Sequence, residues 1–153
     1  NIRPTDVQGA FGIHQIRKLD VFIRIRRENA RYWNNRLDEY SEYLILPEER
    51  EECKHVYFGY PITIRPSAPF SRSELTAYLA EKGIATRPLM AGNMAEQPVM
   101  LTGLVKYRKV GNLKNAKIAM HNSFFWGNHQ AIDEPRREYI ADCVTDFIES
   151  KLG

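Results

Sequence analysis

Between Val56 and Arg87 the sequence passes from one kind of order to another and back, and that rhythm limits the possible folds more than any other feature. Val56-Tyr57-Phe58-Gly59-Tyr60-Pro61-Ile62-Thr63-Ile64 is rich in β-branched and aromatic residues and reads as a strand. Pro61 has no N–H to give a ladder, so it marks an edge or a bulge. Pro66 to Pro69 makes a turn, and Ser71-Arg72-Ser73-Glu74 is a capping box that opens a helix. Leu75, Tyr78 and Leu79 fall on one face of that helix, and Gly83 stops it. Ile84-Ala85-Thr86-Arg87 then reads as a second strand. Strand, helix and strand in this order predict an α/β or α+β sandwich, an open sheet with helices packed on one side.

The flanking segments supply the helices. Thr5 is suited to N-cap a first helix reaching about Leu19, with Gln8 at the matching third helical position. Asp20 is placed to cap a second, running to about Tyr40. In it Ile25, Asn29, Tyr32, Trp33 and Leu37 recur at helical spacing, while Arg24, Arg26, Arg27, Arg31 and Arg36 fill much of the remainder. Glu28, Asp38 and Glu39 interrupt the arginines, which favours a solvated outer face over a nucleic-acid reader. Tyr43 to Leu46 is a short strand stopped by Pro47. Leu113 to Met120 reads as a helix, and His121 to Gln130 as an aromatic strand entering a polar turn. A last helix begins at Asp133 with Pro135 in its first turn and carries the stripe Tyr139, Ile140, Cys143, Val144, Phe147, Ile148 and Leu152.

Composition narrows the function classes. The chain has 153 residues, 43% hydrophobic, which is one domain's worth with material for a real core. Its formal net charge of +3 does not demand a nucleic acid, because 19 acidic residues nearly match 22 basic ones. No apolar run approaches the roughly 18–20 residues needed to span a bilayer, nor is there a signal-like N-terminus, so the expectation is a cytoplasmic protein with no membrane partner. The missing initial methionine suggests the later part of something longer. Cys53 and Cys143 are far apart and without Cys-x-x-Cys spacing, which fits a reducing compartment and gives no metal site.

Two stretches carry candidate chemistry. At the start, Asn1-Ile2-Arg3-Pro4-Thr5-Asp6-Val7-Gln8 puts an amide, a guanidinium and a helix N-terminus in one turn, which suits an anion and equally suits a plain capped surface helix. Further on, Arg87 precedes Pro88-Leu89-Met90-Ala91-Gly92-Asn93-Met94-Ala95-Glu96-Gln97-Pro98. There Gly92-Asn93 should turn the chain, with Asn93 either capping the next short helix or meeting a ligand. His121 and His129 invite a metal or acid–base reading, but neither has a cysteine or carboxylate at ligand spacing.

Taken together, these segments resemble one family. Asn1 to Gly12 is similar to the Gly-Tyr-Asn-x-[Arg/Lys]-x-Thr-Asp-x-Gln-Ala-Ala-x-Gly stretch of the DegT/StrS sugar aminotransferases, pyridoxal-phosphate enzymes of fold type I. Thr86-Arg87-Pro88-Leu89-Met90-Ala91-Gly92-Asn93, with Gln97-Pro98, resembles the Thr-Arg-x-x-x-Ala-Gly-Asn-x-x-x-Gln-Pro of its CDP-4-keto-6-deoxyglucose 3-dehydrase branch. The resemblance implies the C-terminal part of such an enzyme: residues 1–40 a helical segment leading from a large cofactor-binding domain, and 41–153 the small α/β domain. It implies that the Schiff-base lysine, or the histidine that replaces it in the dehydrases, lies upstream. No catalytic residue is therefore expected here. It further implies pyridoxal 5′-phosphate as cofactor, with Asn1 and Arg3 at the phosphate across a homodimer with shared active sites. Arg87 and Asn93 would meet a nucleotide-sugar substrate. The dehydrase branch reads Thr-Phe-Trp-Ile-Gly-x-Tyr-Pro-Gly-Leu where this chain has Ser123-Phe124-Phe125-Trp126-Gly127-Asn128-His129-Gln130-Ala131-Ile132, so His129 stands at a substrate-facing tyrosine position and the Pro-Gly turn is gone. The implied reaction is C3 deoxygenation of a 4-keto-6-deoxyhexose for surface polysaccharide. Ordinary lysine-dependent sugar transamination is the alternative, and a non-enzymatic binding module built on the basic helix is a third reading.

Overall fold

A computed structural model of the chain describes residues 3–153. Six helices are present among them: α1 (Asp6–Ile16), α2 (Leu19–Leu37), α3 (Arg72–Glu81), α4 (Pro98–Leu101), α5 (Lys114–Asn122) and α6 (Glu134–Leu152). The strands β1 (Leu44–Ile45), β2 (Gly59–Ile64), β3 (Thr86–Pro88) and β4 (Ser123–Gly127) form one antiparallel sheet in the order β1-β2-β4-β3. This is the open sheet with packed helices expected from the strand–helix–strand rhythm.

Alternation along the strands sorts the sheet's two faces. Tyr60, Ile62 and Ile64 of β2 and Phe124 and Trp126 of β4 are buried against α2, α3 and α6, while Gly59, Pro61 and Phe125 point to the other face and are only half-buried. β1 pairs only with Thr63 and Ile64, so Pro61 lies beyond its end and interrupts no bond to it. The proline therefore occupies a locally bare edge within a strand that is central in the sheet order.

Aromatic rings join the layers. Trp33 of α2 is fully buried, with ring centroids 5.1 Å from Tyr60 and 5.4 Å from Trp126, and its indole N–H donates to the Arg137 carbonyl of α6 at 3.0 Å. Ala30, Trp33 and Leu37 thus place α2 in the same core as the sheet, so the core extends well before residue 40. α1 differs: it has no buried side chain, and Val7, Phe11, Ile13 and Ile16 are all exposed.

The capping signals were legible. Ser71 accepts from the Glu74 N–H at 3.3 Å, and its own N–H donates to Glu74 Oε2 at 2.8 Å. Gly83 takes φ +76° at the end of α3, and Asp133 Oδ1 caps α6 through the Arg136 N–H at 3.3 Å. Asp20, by contrast, lies inside the first turn of α2, whose N-cap is Lys18. There its carboxylate still complements the helix dipole. Cys143 is buried on the apolar stripe of α6.

The arginines of α2 are not a uniform solvated face. Arg24 pairs with Glu28, Arg27 with Glu49 at 2.9 Å, and Arg36 with Asp142 at 2.9 Å. Arg27 also donates to the His55 carbonyl at 2.7 Å and Arg26 to Gln130 at 3.4 Å. Much of the helix's charge ties down neighbouring segments.

One pH effect follows from the α3 cap. Lys151 Nζ lies 2.8 Å from Glu74 Oε1, and with the Ser71 N–H and hydroxyl it holds the Glu74 carboxyl down to about 2. A carboxyl lowered on folding adds stability above its unfolded value near 4.5, and that stability is lost as the pH falls towards 2. Glu74→Gln, which keeps an acceptor for Ser71, is expected to flatten the fall of Tm between pH 5 and pH 3; an unchanged slope would show that the pair contributes nothing.

Candidate active-site segment

The loop after β3 is built more firmly than its length suggests. Met90 (φ +41°) and Gly92 (φ +59°) both take left-handed backbone. A Cβ at Gly92 would lie 2.6 Å from Met120 Cβ on α5, so only glycine lets the loop come this close. Asn93 follows and is buried, its Oδ1 accepting from the Ala95 N–H at 3.2 Å to cap the 3-10 turn Met94–Glu96. The Asn93 Nδ2 is buried with no partner among the described residues, an amide donor held ready within the loop. Glu96 then anchors the turn to α5, pairing with Lys117 at 3.1 Å and lying 3.4 Å from His121. The Lys117 ammonium, and after it His121, hold the Glu96 carboxyl below its usual range. Gln97 Nε2 closes the loop on the Ala91 carbonyl at 2.6 Å.

Arg87 is exposed on the edge strand β3, opposite Phe125 of β4, and no carboxylate pairs with it among the described residues. It borders a cleft of about 160 Å³ shared with Arg72, Thr76 and Thr86. Arg72 donates to the Met120 carbonyl at 2.8 Å and approaches that of Ser123 at 3.4 Å, so its charge too meets carbonyls and no carboxylate.

His129 lies elsewhere. It is exposed in the turn after β4, where its Nδ1 accepts from the Ala131 N–H at 3.1 Å. The loop at Asn93 abuts α5 just before β4 begins, so a five-residue strand, roughly 17 Å at the usual rise, separates the two regions. Arg87 stands opposite the middle of β4, the loop at Asn93 lies against α5 ahead of its start, and His129 lies beyond its end. Sequence reasoning also passed over the neighbour of His129: Asn128 is buried, donates to the Arg26 carbonyl at 2.9 Å and meets Asn29 at 3.4 Å. Asn29, placed on the core face of α2 by spacing alone, was the available signal that a buried amide needed such a partner.

Of the residues expected at a cofactor phosphate, Asn1 lies outside the described residues. Arg3 is exposed, just ahead of α1, where the Thr5 N–H donates to Gln8 Oε1 at 2.8 Å. A guanidinium with no carboxylate partner among the described residues, beside a helix start, fits a phosphate, although the Asp6 carboxylate in the first turn works against it. Among the described residues no group of three or more His, Cys, Asp and Glu could hold a metal, and no helix is long and apolar enough to cross a membrane.

An edge-strand arginine, a glycine-dependent loop and a capped asparagine are set on a small antiparallel sheet with helices on one face, and this fold is shared with enzymes of the fold-type I pyridoxal-phosphate class. Residues 1–145 match the DegT/DnrJ/EryC1/StrS aminotransferase family, and the chain belongs to it. It is similar to the lipopolysaccharide biosynthesis protein RfbH of Salmonella typhimurium, 34% identical over 96% of this chain and 33% of that protein. GDP-4-keto-6-deoxy-D-mannose 3-dehydratase of Escherichia coli O55:H7 is 34% identical over 85% of this chain and 32% of its own length. A more distant relative is dTDP-4-amino-4,6-dideoxy-D-glucose transaminase of Shigella dysenteriae, 28% identical over 96% of this chain and 39% of that protein. Among solved structures, E. coli GDP-4-keto-6-deoxy-D-mannose-3-dehydratase with bound hydrated PLP superposes with a TM-score of 0.79 at 30% identity, over all of this chain and 36% of that one. The chain thus spans about a third of the length of these relatives.

Proposed function

We propose that this chain is the C-terminal segment of a pyridoxal-phosphate-dependent nucleotide-sugar 3-dehydratase, a cytoplasmic enzyme that removes the C3 hydroxyl of a 4-keto-6-deoxyhexose during surface-polysaccharide or deoxysugar synthesis. The single observation that supports this is the loop 88–98, where the Gly92 contact with α5 and the capping role of Asn93 give structural reasons for the Ala-Gly-Asn of the stretch that resembles the dehydrase branch, with Glu96 anchoring it to α5. Bound pyridoxal phosphate would supply an electron sink. The residues of this chain bind and orient. Arg3 and Asn1 would hold the cofactor phosphate, and Arg87 and Asn93 would meet the substrate.

The apolar side chains exposed on α1 favour a protein surface packed around it, and a two-fold dimer with shared sites accommodates Asn1 at a neighbour's cofactor. Transamination is the second reading, favoured by the transaminase among the relatives. The residue at the upstream cofactor position separates the two, histidine for dehydration and lysine for amine transfer. A binding module based on α2 is disfavoured by the ion pairs that Arg24, Arg27 and Arg36 already make.

The test is the intact enzyme supplied with cofactor and a nucleoside-diphosphate 4-keto-6-deoxyhexose. Loss of the C3 hydroxyl supports dehydration, formation of an amino sugar supports transamination, and absence of a bound-cofactor absorption band refutes both. Arg3→Gln is expected to weaken cofactor binding about 10- to 150-fold, since a hydrogen bond to a charged group contributes about 1.5–3 kcal/mol. Titration of the apoenzyme with pyridoxal phosphate reads this directly, and unchanged affinity would remove Arg3 from the phosphate site.

A further inference from the structure

The loop 88–98 is held from outside by charge, at a position that the dehydrase-like motif leaves open. In the pattern Thr-Arg-x-x-x-Ala-Gly-Asn-x-x-x-Gln-Pro, residue 96 falls on one of the free positions, and this chain places a glutamate there. Lys117, Met120 and His121 share one face of α5 by their three- and four-residue spacing, and that face meets the loop. Met120 receives Gly92, while Lys117 Nζ, at 3.1 Å, and the His121 ring, at 3.4 Å, flank the Glu96 carboxylate. The face itself is fixed to the body of the domain. Arg72 of α3 donates to the Met120 carbonyl at 2.8 Å, and Asn122 Nδ2 donates to the Ile64 carbonyl of β2 at 3.0 Å.

This tether reaches Asn93 through one turn of backbone. The Glu96 N–H donates to the Asn93 carbonyl at 3.1 Å, and the Asn93 side chain caps the same turn through the Ala95 N–H. Holding Glu96 against Lys117 therefore also holds Asn93 Nδ2, which has no partner among the described residues. Met90 keeps φ +41° while 73% exposed, so burial of its side chain does not account for its left-handed backbone. Backbone of this kind persists only where the surrounding structure imposes it. On the C-terminal side of Gly92 the imposing contacts are Gln97 on the Ala91 carbonyl and Glu96 on α5. The Gly92 contact is steric, whereas the Glu96 contact is an ion pair at the surface, which salt or substitution can weaken without disturbing the core.

Resting on the reading of this chain as part of a nucleotide-sugar enzyme, we infer that Glu96 is a positioning residue, whose ion pair with Lys117 sets how often the loop holds Asn93 where the substrate is met. Substrate binds the fraction of molecules whose loop is seated. Weakening the tether lowers that fraction, which raises KM by the same factor and leaves kcat nearly unchanged. For an ion pair of this exposure the factor is up to about fivefold.

In the intact enzyme, hydrogen exchange of the segment 94–97, where the Glu96 and Gln97 N–H groups bond to the Asn93 and Met94 carbonyls, is measured beside KM, kcat and cofactor absorbance. Glu96→Gln and Lys117→Met are each expected to speed this exchange and to raise KM about threefold with kcat unchanged. The double variant should match either single one, and the reversed pair, Glu96→Lys with Lys117→Glu, should recover wild-type values. In about 1 M salt, where the screening length is about 3 Å, exchange in the wild type should rise to that of Glu96→Gln, whose own exchange stays constant. Unaltered exchange in both single variants overturns the tether, as does a wild-type loop indifferent to salt or a reversed pair no better than the single variants. Faster exchange with unaltered KM overturns the positioning role, and so does a lowered Tm with unaltered KM. A wild-type enzyme that binds no cofactor refutes the functional reading, and the positioning role falls with it, while the exchange data still decide whether the tether exists.

Discussion

Trp33→Ala is expected to lower the unfolding free energy by about 3–5 kcal/mol, the usual cost of deleting a buried indole. Trp33 stands where α2, the sheet and α6 meet, in ring contact with Tyr60 and Trp126 and bonded to the Arg137 carbonyl. Removing it leaves a cavity beside two further aromatic rings and takes the indole hydrogen bond from the Arg137 carbonyl. Because a domain retains only about 5–15 kcal/mol in total, this variant should be largely unfolded under mild urea. Trp33→Phe, which keeps ring packing and loses the N–H, should fall between the two. The control is Arg24→Ala, whose exposed pair with Glu28 is worth less than about 0.5 kcal/mol. Equal urea midpoints for Trp33→Ala and Arg24→Ala would refute the central role given to Trp33.

Gly92→Ala carries the second large effect, on function more than on folding. The positive φ costs about 1–2 kcal/mol for any L side chain. The new methyl group would also press on Met120 of α5, and overpacking adds about 1–3 kcal/mol unless the loop retreats. Retreat shifts Asn93, the next residue. Displacing a substrate-positioning group by about 1 Å can lower turnover on the order of 100-fold, so kcat/KM of the intact enzyme should fall by about that factor while cofactor absorbance is retained. Gly127→Ala is the matched control, because a Cβ there meets nothing within 4 Å. A Gly92→Ala enzyme with kcat/KM within threefold of wild type would mean that the loop is not positioned by α5.

Local chemistry was legible in the sequence. The caps at Thr5, Ser71, Asn93 and Asp133 and the stop at Gly83 each depend on residues within a few positions of one another, and each formed as expected. What could not be read depends on distant partners. The arginines of α2 look like a solvated stripe until Glu49 and Asp142 arrive from other segments. The amide pair Asn29–Asn128 spans 99 positions, and neither residue announces the other. Pro61 was rightly marked as an edge residue, yet only the brevity of β1 makes a central strand bare at that point. The aromatic run of β4 likewise did not disclose that Phe125 faces away from the core, because that depends on register with Gly59 and Arg87. The motif around Gly92 and Asn93 was readable as a turn with a cap, and its contact with Met120 was not.

The Trp33–Trp126 contact also decides what light can report about this chain. Its two tryptophans are edge-to-face at 5.4 Å inside one core, so both emit from the same dry environment and their transitions couple. Intrinsic emission and near-ultraviolet circular dichroism will therefore follow the melting of the core where α2, α6 and the sheet meet as a single signal. Movements of the loop at 88–98 or of α1 will pass unseen by that signal, and an extrinsic label at the exposed Cys53 is the natural complement.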